Sequence, residues 1–191
     1  MTRILMMGPP GVGKGTQAVR LASHLQVPWI STGDLFREQV RNETALGLQI
    51  RDLMGSGHYL PDEIADELVS HRLAELDAQD GFILDGYPRT AAQVQSLDLV
   101  LSASSVHLTA IVVLDAHRRD IIARLLQRAR EQGRADDTPE VIDRRLQVYA
   151  DEAAELFGCY ADRGVLLHVD GMGHPDAVAA RIWEALQLPK D

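Results

Sequence analysis

The sequence is poor in cysteine and in long apolar runs, and each shortage excludes a class of protein. Its single cysteine, Cys159, excludes an internal disulfide and a zinc site built from several cysteines. No apolar run approaches the roughly 20 residues that a membrane-spanning helix needs. The opening residues, MTRILMMG, are too few for the apolar segment of a signal peptide. We therefore expect a cytoplasmic protein with no membrane partner.

Positive charge is also scarce. The chain carries 19 Lys and Arg residues against 28 Asp and Glu residues, so its formal net charge is −9 at pH 7. This excess of negative charge disfavours binding to nucleic acid. A length of 191 residues, of which 46% are hydrophobic, fits one globular domain with a sizeable core. We expect that domain to be a monomer.

Short apolar segments alternate with longer amphipathic ones along the chain. Strands are predicted at 3–7, 28–31, 82–85, 109–115 and 165–170, and helices at 14–25, 34–56, 62–77, 90–102, 117–131, 139–160 and 175–187. The strands are mostly apolar on both faces, which is typical of a buried parallel sheet. The alternation therefore predicts an α/β fold in three layers, with a central five-stranded parallel sheet.

Two segments interrupt this alternation. Residues 31–61 hold two or three predicted helices and no strand between them, and residues 131–138, EQGRADDT, are polar and lie between two helices. Excursions of this kind from a core usually carry function or mobility.

The segment GPPGVGKGT follows the first predicted strand and opens the first helix. Gly8, Gly13 and Lys14 match the spacing of a phosphate-binding loop, but Gly15 stands where Ser or Thr is usual, and the hydroxyl follows on Thr16. Of the basic residues, seventeen are Arg and only two are Lys, so the presence of Lys at this position is notable. A compact ammonium fits between phosphate oxygens where a planar guanidinium does not. A glycine-rich turn without a ligand would not require Lys14.

A second motif, DGYPRT, ends the predicted strand at 82–85. Asp85 is placed to bind the water shell of magnesium, and Arg89 is expected to enter the same crevice. The competing interpretation is an ordinary strand-to-helix turn with a solvated Arg89. Because this segment must turn sharply while aiming Arg89 inward, we predict a cis Tyr87–Pro88 peptide bond.

Two further groups of residues admit two interpretations each. In STGDLFR, Thr32 and Asp34 either bind a ligand or cap the next helix. Arg124 and Arg128 share a helix face and either form ordinary salt bridges or, with further arginines, surround a transferring phosphoryl group.

Taken together, the motifs GPPGVGKGTQ, STGDLFR, DGYPRTAAQ, GRADD followed by VIDRRLQVY, and VDGMG resemble the adenylate kinase family of the bacterial type with a short lid. The resemblance covers essentially the whole chain. It implies a P-loop fold and reversible transfer of phosphate from ATP to AMP, which gives two ADP. It also implies magnesium, no zinc, and a loop that reads G-K-G-T, which accounts for Gly15. A kinase for UMP or CMP and a non-catalytic nucleotide sensor are the rival hypotheses.

The resemblance also implies a division of the single domain 1–191 and a role for individual residues. The core comprises 1–30, 61–128 and 139–191, with an AMP-binding arm at 31–60 and a lid at 129–138. ATP is bound by Gly11, Val12, Gly13, Lys14, Gly15, Thr16, Arg124, Arg128 and Gly173. AMP is bound by Thr32, Arg37, His58, Tyr59, Leu60, Gly86, Tyr87, Pro88, Arg89, Gln93, Arg134 and Arg145. The catalytic residues are Lys14, Arg89, Arg128, Arg134 and Arg145, and Asp85 and Asp34 hold magnesium through water.

Some positions depart from the commonest pattern of the family, and the matching residue Gln93 does not by itself determine which base is bound. His58 and Tyr59 stand where Lys or Asp followed by Leu is frequent, and Tyr87 replaces Phe. The amide of Gln93 can accept a hydrogen bond from the adenine amino group and donate one to the neighbouring ring nitrogen. The same amide, flipped, would serve another base, so we base the expected preference for AMP on the length of Gln93 and on Thr32 as a polar wall.

Overall fold

The structure, a computed structural model, describes residues 2–132 and 138–188 and contains one parallel sheet. Its strands are β1 (Thr2–Met7), β2 (Trp29–Ser31), β3 (Gly81–Asp85), β4 (Ala110–Asp115) and β5 (Leu166–Asp170). They lie in the order β2-β3-β1-β4-β5, and all four neighbouring pairs are parallel. The predicted five-stranded parallel sheet is confirmed.

The helices also follow the predicted order. They are α1 (Lys14–Leu25), α2 (Thr32–Arg41), α3 (Ala45–Ser56), α4 (Asp62–Leu73), α5 (Ala91–Ala103), α6 (Arg118–Gln132), α7 (Pro139–Gly158) and α8 (Pro175–Ala185). The helices predicted over 62–77 and 139–160 end earlier, at Leu73 and Gly158, and each is followed by a short 3-10 turn. Within the described ranges, no helix is long and apolar enough to cross a membrane.

The excursion at 31–61 consists of two helices, and the break between α2 and α3 has a local cause. Glu43 adopts a φ of 49°, which a helix does not contain. The next residue, Thr44, caps α3 because its side chain accepts a hydrogen bond from the Gly47 N–H. A break and a new cap in adjacent residues separate the two helices.

Side chains of the central strands point alternately into two hydrophobic layers. On β1, Leu5 and Met7 pack into one core, which side chains of α2, α3, α4, α5 and α7 complete. Ile4 and Met6 pack into a second core on the other face, together with α1 and α8. Burial on both faces explains why the strands are apolar throughout, and it confirms the three-layer arrangement.

The strand order places a crevice beside β1. This strand pairs with β3 on one side and with β4 on the other; the chain leaves β1 toward β2 on one side, and it leaves β4 toward β5 on the other. Met6 of β1 lies opposite Asp85 of β3, so the loop after β1 and the turn after β3 meet at the same edge of the sheet. Ligands of open α/β sheets bind at this kind of switch point.

The helices α2 and α3 cross at very close range. A Cβ atom built on Gly47 would overlap the backbone carbonyl group of Gln39, far inside van der Waals contact. The neighbouring atom belongs to the backbone and cannot rotate away. Gly47 is therefore required by the packing of the two helices.

We predict that Gly47→Ala destabilises the protein by about 1–3 kcal/mol, because a methyl group forces the two helix backbones apart. Helix propensity alone predicts the opposite sign, a gain of roughly 0.5–1 kcal/mol. Gly158→Ala is the matched control, since a Cβ at this helical glycine meets nothing within 4 Å. Urea unfolding of both variants measures the difference, and a Gly47→Ala variant as stable as Gly158→Ala would contradict the packing argument.

Candidate active site

A cavity of about 870 Å³ opens at the carboxyl edge of the sheet, where the loop after β1 and the turn after β3 meet. All the predicted site residues within the described chain line it, from the loop after β1, the start of α2, the segment after α3, the turn after β3, α6, α7 and the segment after β5. They are Gly11, Val12, Gly13, Lys14, Gly15, Thr16, Thr32, Asp34, Arg37, His58, Tyr59, Leu60, Asp85, Gly86, Tyr87, Pro88, Arg89, Gln93, Arg124, Arg128, Arg145 and Gly173. Arg134 lies outside the described residues, as does the lid segment 133–137.

The glycine-rich loop runs from the end of β1 to the start of α1. Gly8, Gly11 and Gly13 have φ angles of 130°, 81° and 108°, which side chains other than glycine's rarely allow. The helix α1 begins at Lys14 directly after Gly13, and no side chain caps it. The first N–H groups of a helix have no partner within the helix, so they face the cavity as donors for an anion.

Lys14 is folded back over this loop. Its ammonium donates hydrogen bonds to the carbonyl oxygens of Gly8 (2.8 Å) and Pro9 (2.9 Å). The pKa of Lys14 is lowered to about 8, chiefly by burial; the charge of Asp85 opposes this shift, and the positive charges of Arg89, Arg145 and Arg128 add to it. The negative charge around the Lys14 ammonium therefore does not offset the cost of burying it.

Asp85 stands at the end of β3, beside the loop. Burial raises its pKa, while the positive charges of Lys14 and Arg89 oppose that rise. A Cβ on Gly15 would lie 3.4 Å from Asp85 Oδ2, which is ordinary van der Waals contact, so a side chain at position 15 would fill space beside the carboxylate. The glycine at this position keeps space open between the loop and Asp85. Thr16, which carries the late hydroxyl, is exposed.

The turn after β3 holds Arg89 in the cavity and has the predicted cis Tyr87–Pro88 peptide. Arg89 Nε donates to the carbonyl oxygen of Gly86 at 2.6 Å, and the guanidinium lies 5.0 Å from the centre of the Tyr59 ring. The interpretation of Arg89 as a solvated charge is therefore wrong. The aromatic ring is supplied by Tyr59, a position where this chain departs from the common pattern.

The start of α2 contradicts one interpretation of the STGDLFR motif, namely that Thr32 caps the helix. Ser31, and not Thr32, caps the helix by accepting a hydrogen bond from the Asp34 N–H. Thr32 is buried and donates its hydroxyl to the carbonyl oxygen of Asp85 at 3.2 Å. Arg37 forms an ion pair with Asp34 on the same helix. Thr32 thus ties α2 to the end of β3, and its hydroxyl proton is already used.

Gln93, at the start of α5, is held by two fixed partners. Its Oε1 accepts a hydrogen bond from the Arg89 N–H (2.7 Å), and its Nε2 donates to Asp62 Oδ1 (2.6 Å). Asp62 Oδ2 accepts a further hydrogen bond from the Thr90 hydroxyl (2.9 Å). Asp62 could not be recognised as a site residue from the sequence, because an acidic residue directly after Pro61 is typical of an ordinary helix start.

Three arginines from α6 and α7 line the opposite wall of the cavity. Arg124 donates to the carbonyl oxygens of Val12 (3.1 Å) and Gly171 (3.2 Å), and so joins the phosphate loop to the segment after β5. Arg128 and Arg145 each lower the pKa of Lys14 by their positive charge. The positive side chains of α6 and α7 therefore act on the same volume as the loop.

Tyr149 of α7 also lines the cavity, although the sequence did not point to it. The predicted residue His58 contacts α7, because its Nε2 accepts a hydrogen bond from Arg144 at 3.0 Å. Among the residues that the structure describes, no group of three or more His, Cys, Asp or Glu is placed to hold a metal ion.

Known proteins resemble this chain over nearly its full length. The model of the adenylate kinase family matches residues 6–165. The adenylate kinase of Kocuria rhizophila is 48% identical over 98% of this chain and 100% of its own length. That of Leifsonia xyli is 51% identical over 96% of this chain and 92% of its own length, and that of Bifidobacterium longum is 48% identical over 97% and 100%. The chain belongs to the adenylate kinase family.

Proposed function

We propose that this protein is an adenylate kinase, a phosphotransferase that moves the γ-phosphoryl group of ATP to AMP reversibly and gives two ADP. The observation that carries the proposal is the cavity itself, in which a phosphate loop with a half-buried Lys14 faces arginines from four separate elements. A reaction of this kind balances the cellular pools of adenine nucleotides, so we place the protein in the cytoplasm. Because one chain supplies the described lining of the site, we propose that it acts as a monomer.

The loop side of the cavity binds ATP in this proposal. The backbone N–H groups of residues 11–16 surround the phosphates, and Lys14 exchanges the carbonyl oxygens of Gly8 and Pro9 for phosphate oxygens. Arg124 and Arg128 contact the nucleotide from α6, and the segment at Gly173 borders its base. Hydrogen bonds from Arg124 to the loop already connect these parts.

The arm side of the cavity binds AMP. Arg37 and Arg89 hold the phosphate, while the segments 58–60 and 86–88, together with Thr32 and Gln93, enclose the rest of the nucleotide. The Tyr59 ring and the Gly86 carbonyl hold Arg89 in a position from which it can reach a phosphate. Arg134 and Arg145 bridge the two nucleotides at the point of transfer.

The residues beside the loop fit a magnesium ion that arrives with the nucleotide. Asp85 and Asp34 offer carboxylate oxygens, the ligand type that magnesium prefers, and Gly15 leaves space next to Asp85. When bound, the ion neutralises charge on the phosphate oxygens. Asp34 would share its carboxylate with Arg37, to which it is already paired.

The remaining chemistry is a matter of position and charge. The transfer needs the α-phosphate oxygen of AMP in line with the γ-phosphorus of ATP and fixed cations around the transferring group, and it needs no general base. Lys14, Arg89, Arg128, Arg134 and Arg145 supply those cations. An exposed site would lose the phosphoryl group to water, so we propose that the arm, 31–60, and the lid, 129–138, close over the core before transfer.

The function is tested by coupled turnover of ATP with AMP, CMP and UMP as separate acceptors. We expect AMP to exceed CMP and UMP by at least about 100-fold in kcat/KM, because polar groups left unpaired by the wrong base cost affinity. Comparable rates with CMP or UMP would assign the protein to the rival kinases. Nucleotide binding without turnover of any acceptor would favour the sensor.

The activity should depend on the protonation of Lys14, whose pKa is lowered to about 8 by burial. The charged form binds phosphate, so kcat/KM for ATP should be constant below about pH 8 and should fall about tenfold per pH unit above it. In Lys14→Arg, the guanidinium stays charged throughout this range, so its activity should show no such fall. At neutral pH, the same variant should lose about 100-fold in turnover, or roughly 3 kcal/mol, because its planar head does not fit the loop.

The lowered pKa also has a consequence for stability. Between about pH 8 and 10.5, the unfolded chain binds a proton at Lys14 that the folded protein does not, so stability rises with pH in that window. Below about pH 8, the buried charge costs the nucleotide-free protein on the order of 3 kcal/mol. We expect Lys14→Met to unfold at a higher temperature than the wild type at neutral pH and to be inactive. An equal or lower unfolding temperature would show that the ammonium does not destabilise the empty loop.

A further inference from the structure

The carboxamide of Gln93 lies between two partners of fixed polarity. The backbone N–H of Arg89 can only donate, and it meets Oε1; the ionised carboxylate of Asp62 can only accept, and it meets Nε2. Rotating the amide by half a turn would place N–H against N–H and oxygen against carboxylate. Gln93 is 2% exposed, so no bulk water is at hand to repair such mismatches. The orientation of this amide is therefore determined by chemistry.

Asp62 is itself held in place. Its second carboxylate oxygen accepts the hydroxyl of Thr90, and Thr90 in turn caps α5 by accepting the N–H of Gln93. The three side chains form a closed group that links the start of α4 to the start of α5. Asp62 cannot turn away from Gln93 without giving up the Thr90 hydroxyl as well.

A second carboxylate on α4 supports the turn after β3 and α5, and not the Gln93 amide. Asp66, one helical turn after Asp62, accepts the hydroxyl of Tyr87 at 2.6 Å and also that of Ser96. Within the described part of the chain, it supports the turn after β3 and the helix α5 and makes no hydrogen bond with the Gln93 amide. The protein thus carries a pair of similar residues, of which only Asp62 acts on the amide's orientation.

We propose that Asp62 is a positioning residue that determines the base specificity of the acceptor site. Each end of the Gln93 amide retains one hydrogen-bonding position beside those taken by Arg89 and Asp62, an acceptor on Oε1 and a donor on Nε2. In the fixed orientation, these two match a base that presents an amino group next to an unprotonated ring nitrogen, as adenine does. They oppose a base that presents a carbonyl next to a ring N–H, as hypoxanthine does. This inference rests on the proposed binding of AMP at Gln93.

The test compares AMP with IMP, which has the same ring size and the reversed hydrogen-bonding edge. Asp62→Asn keeps the shape of the side chain but can accept or donate, so it no longer opposes the flipped Gln93 amide, and only the Arg89 N–H still does. We expect the ratio of kcat/KM for AMP over IMP to fall at least about tenfold, while KM for ATP stays within about twofold. Asp62→Ser, whose hydroxyl is too short to hold the amide, should give the same fall and serves if Asp62→Asn does not fold.

Asp66→Asn is the matched control, and it should retain the wild-type AMP/IMP ratio even if it is less stable. A double-mutant cycle adds a second measurement, because Asp62→Asn should not change the ratio further once Gln93→Met has removed the amide. An unchanged ratio in both Asp62 variants, or an equal loss in Asp66→Asn, would overturn the inference. If the wild type fails to turn over AMP, the proposed function fails; if it turns over AMP with a ratio that ignores Asp62, only this inference fails.

Discussion

The active site depends on the confinement of one ammonium group. Lys14, the first residue of α1, donates to two backbone carbonyl oxygens of the glycine-rich loop, and surrounding arginines add repulsion, which Asp85 opposes. The structure keeps this charge because the phosphate loop is built to receive an anion at the same place. The stability that the empty protein forgoes becomes binding free energy when phosphate oxygens replace the carbonyls. Three features serve this replacement of carbonyl oxygens by phosphate oxygens: the short glycine loop, the uncapped start of α1 and the surrounding arginines.

The polar side chains on the two sides of the cavity have different kinds of hydrogen-bond partners. On the loop side, Lys14 and Arg124 contact backbone carbonyl groups, which are weak partners that a nucleotide can replace. On the arm side, Gln93 and Thr32 are tied to fixed polar groups and are buried. The first arrangement suits the handling of charge, and the second suits the reading of shape and hydrogen-bond pattern. In the proposed function, the donor and acceptor sites of this domain therefore follow two distinct physical designs.

Much of this could be predicted from the sequence, because local patterns determine it. Runs that are apolar on both faces located all five strands, and the motifs at Lys14 and Asp85 could be placed at strand ends, which meet at one edge of a parallel sheet. The pairing of Asp62 with Gln93 could not be predicted, because it joins two helices 31 positions apart through side-chain geometry. The cap of α2 was ambiguous for a similar reason. Ser31 and Thr32 are both good caps, and only the bond of Thr32 to the end of β3 decides between them.

The close crossing of α2 and α3 has a mechanical consequence. With Gly47 against the backbone of Gln39, the two helices have no side chain between them at this crossing. We therefore expect a displacement of one helix to be passed to the other, so that residues 32–56 move as a single unit. Flexing is then confined to its ends, where Gly57 takes a φ of 80° and Ser31 leaves the sheet. A rigid pair of helices that turns only at its two ends can move along few paths. In the proposed function, this limits the ways in which AMP can be brought to the glycine-rich loop.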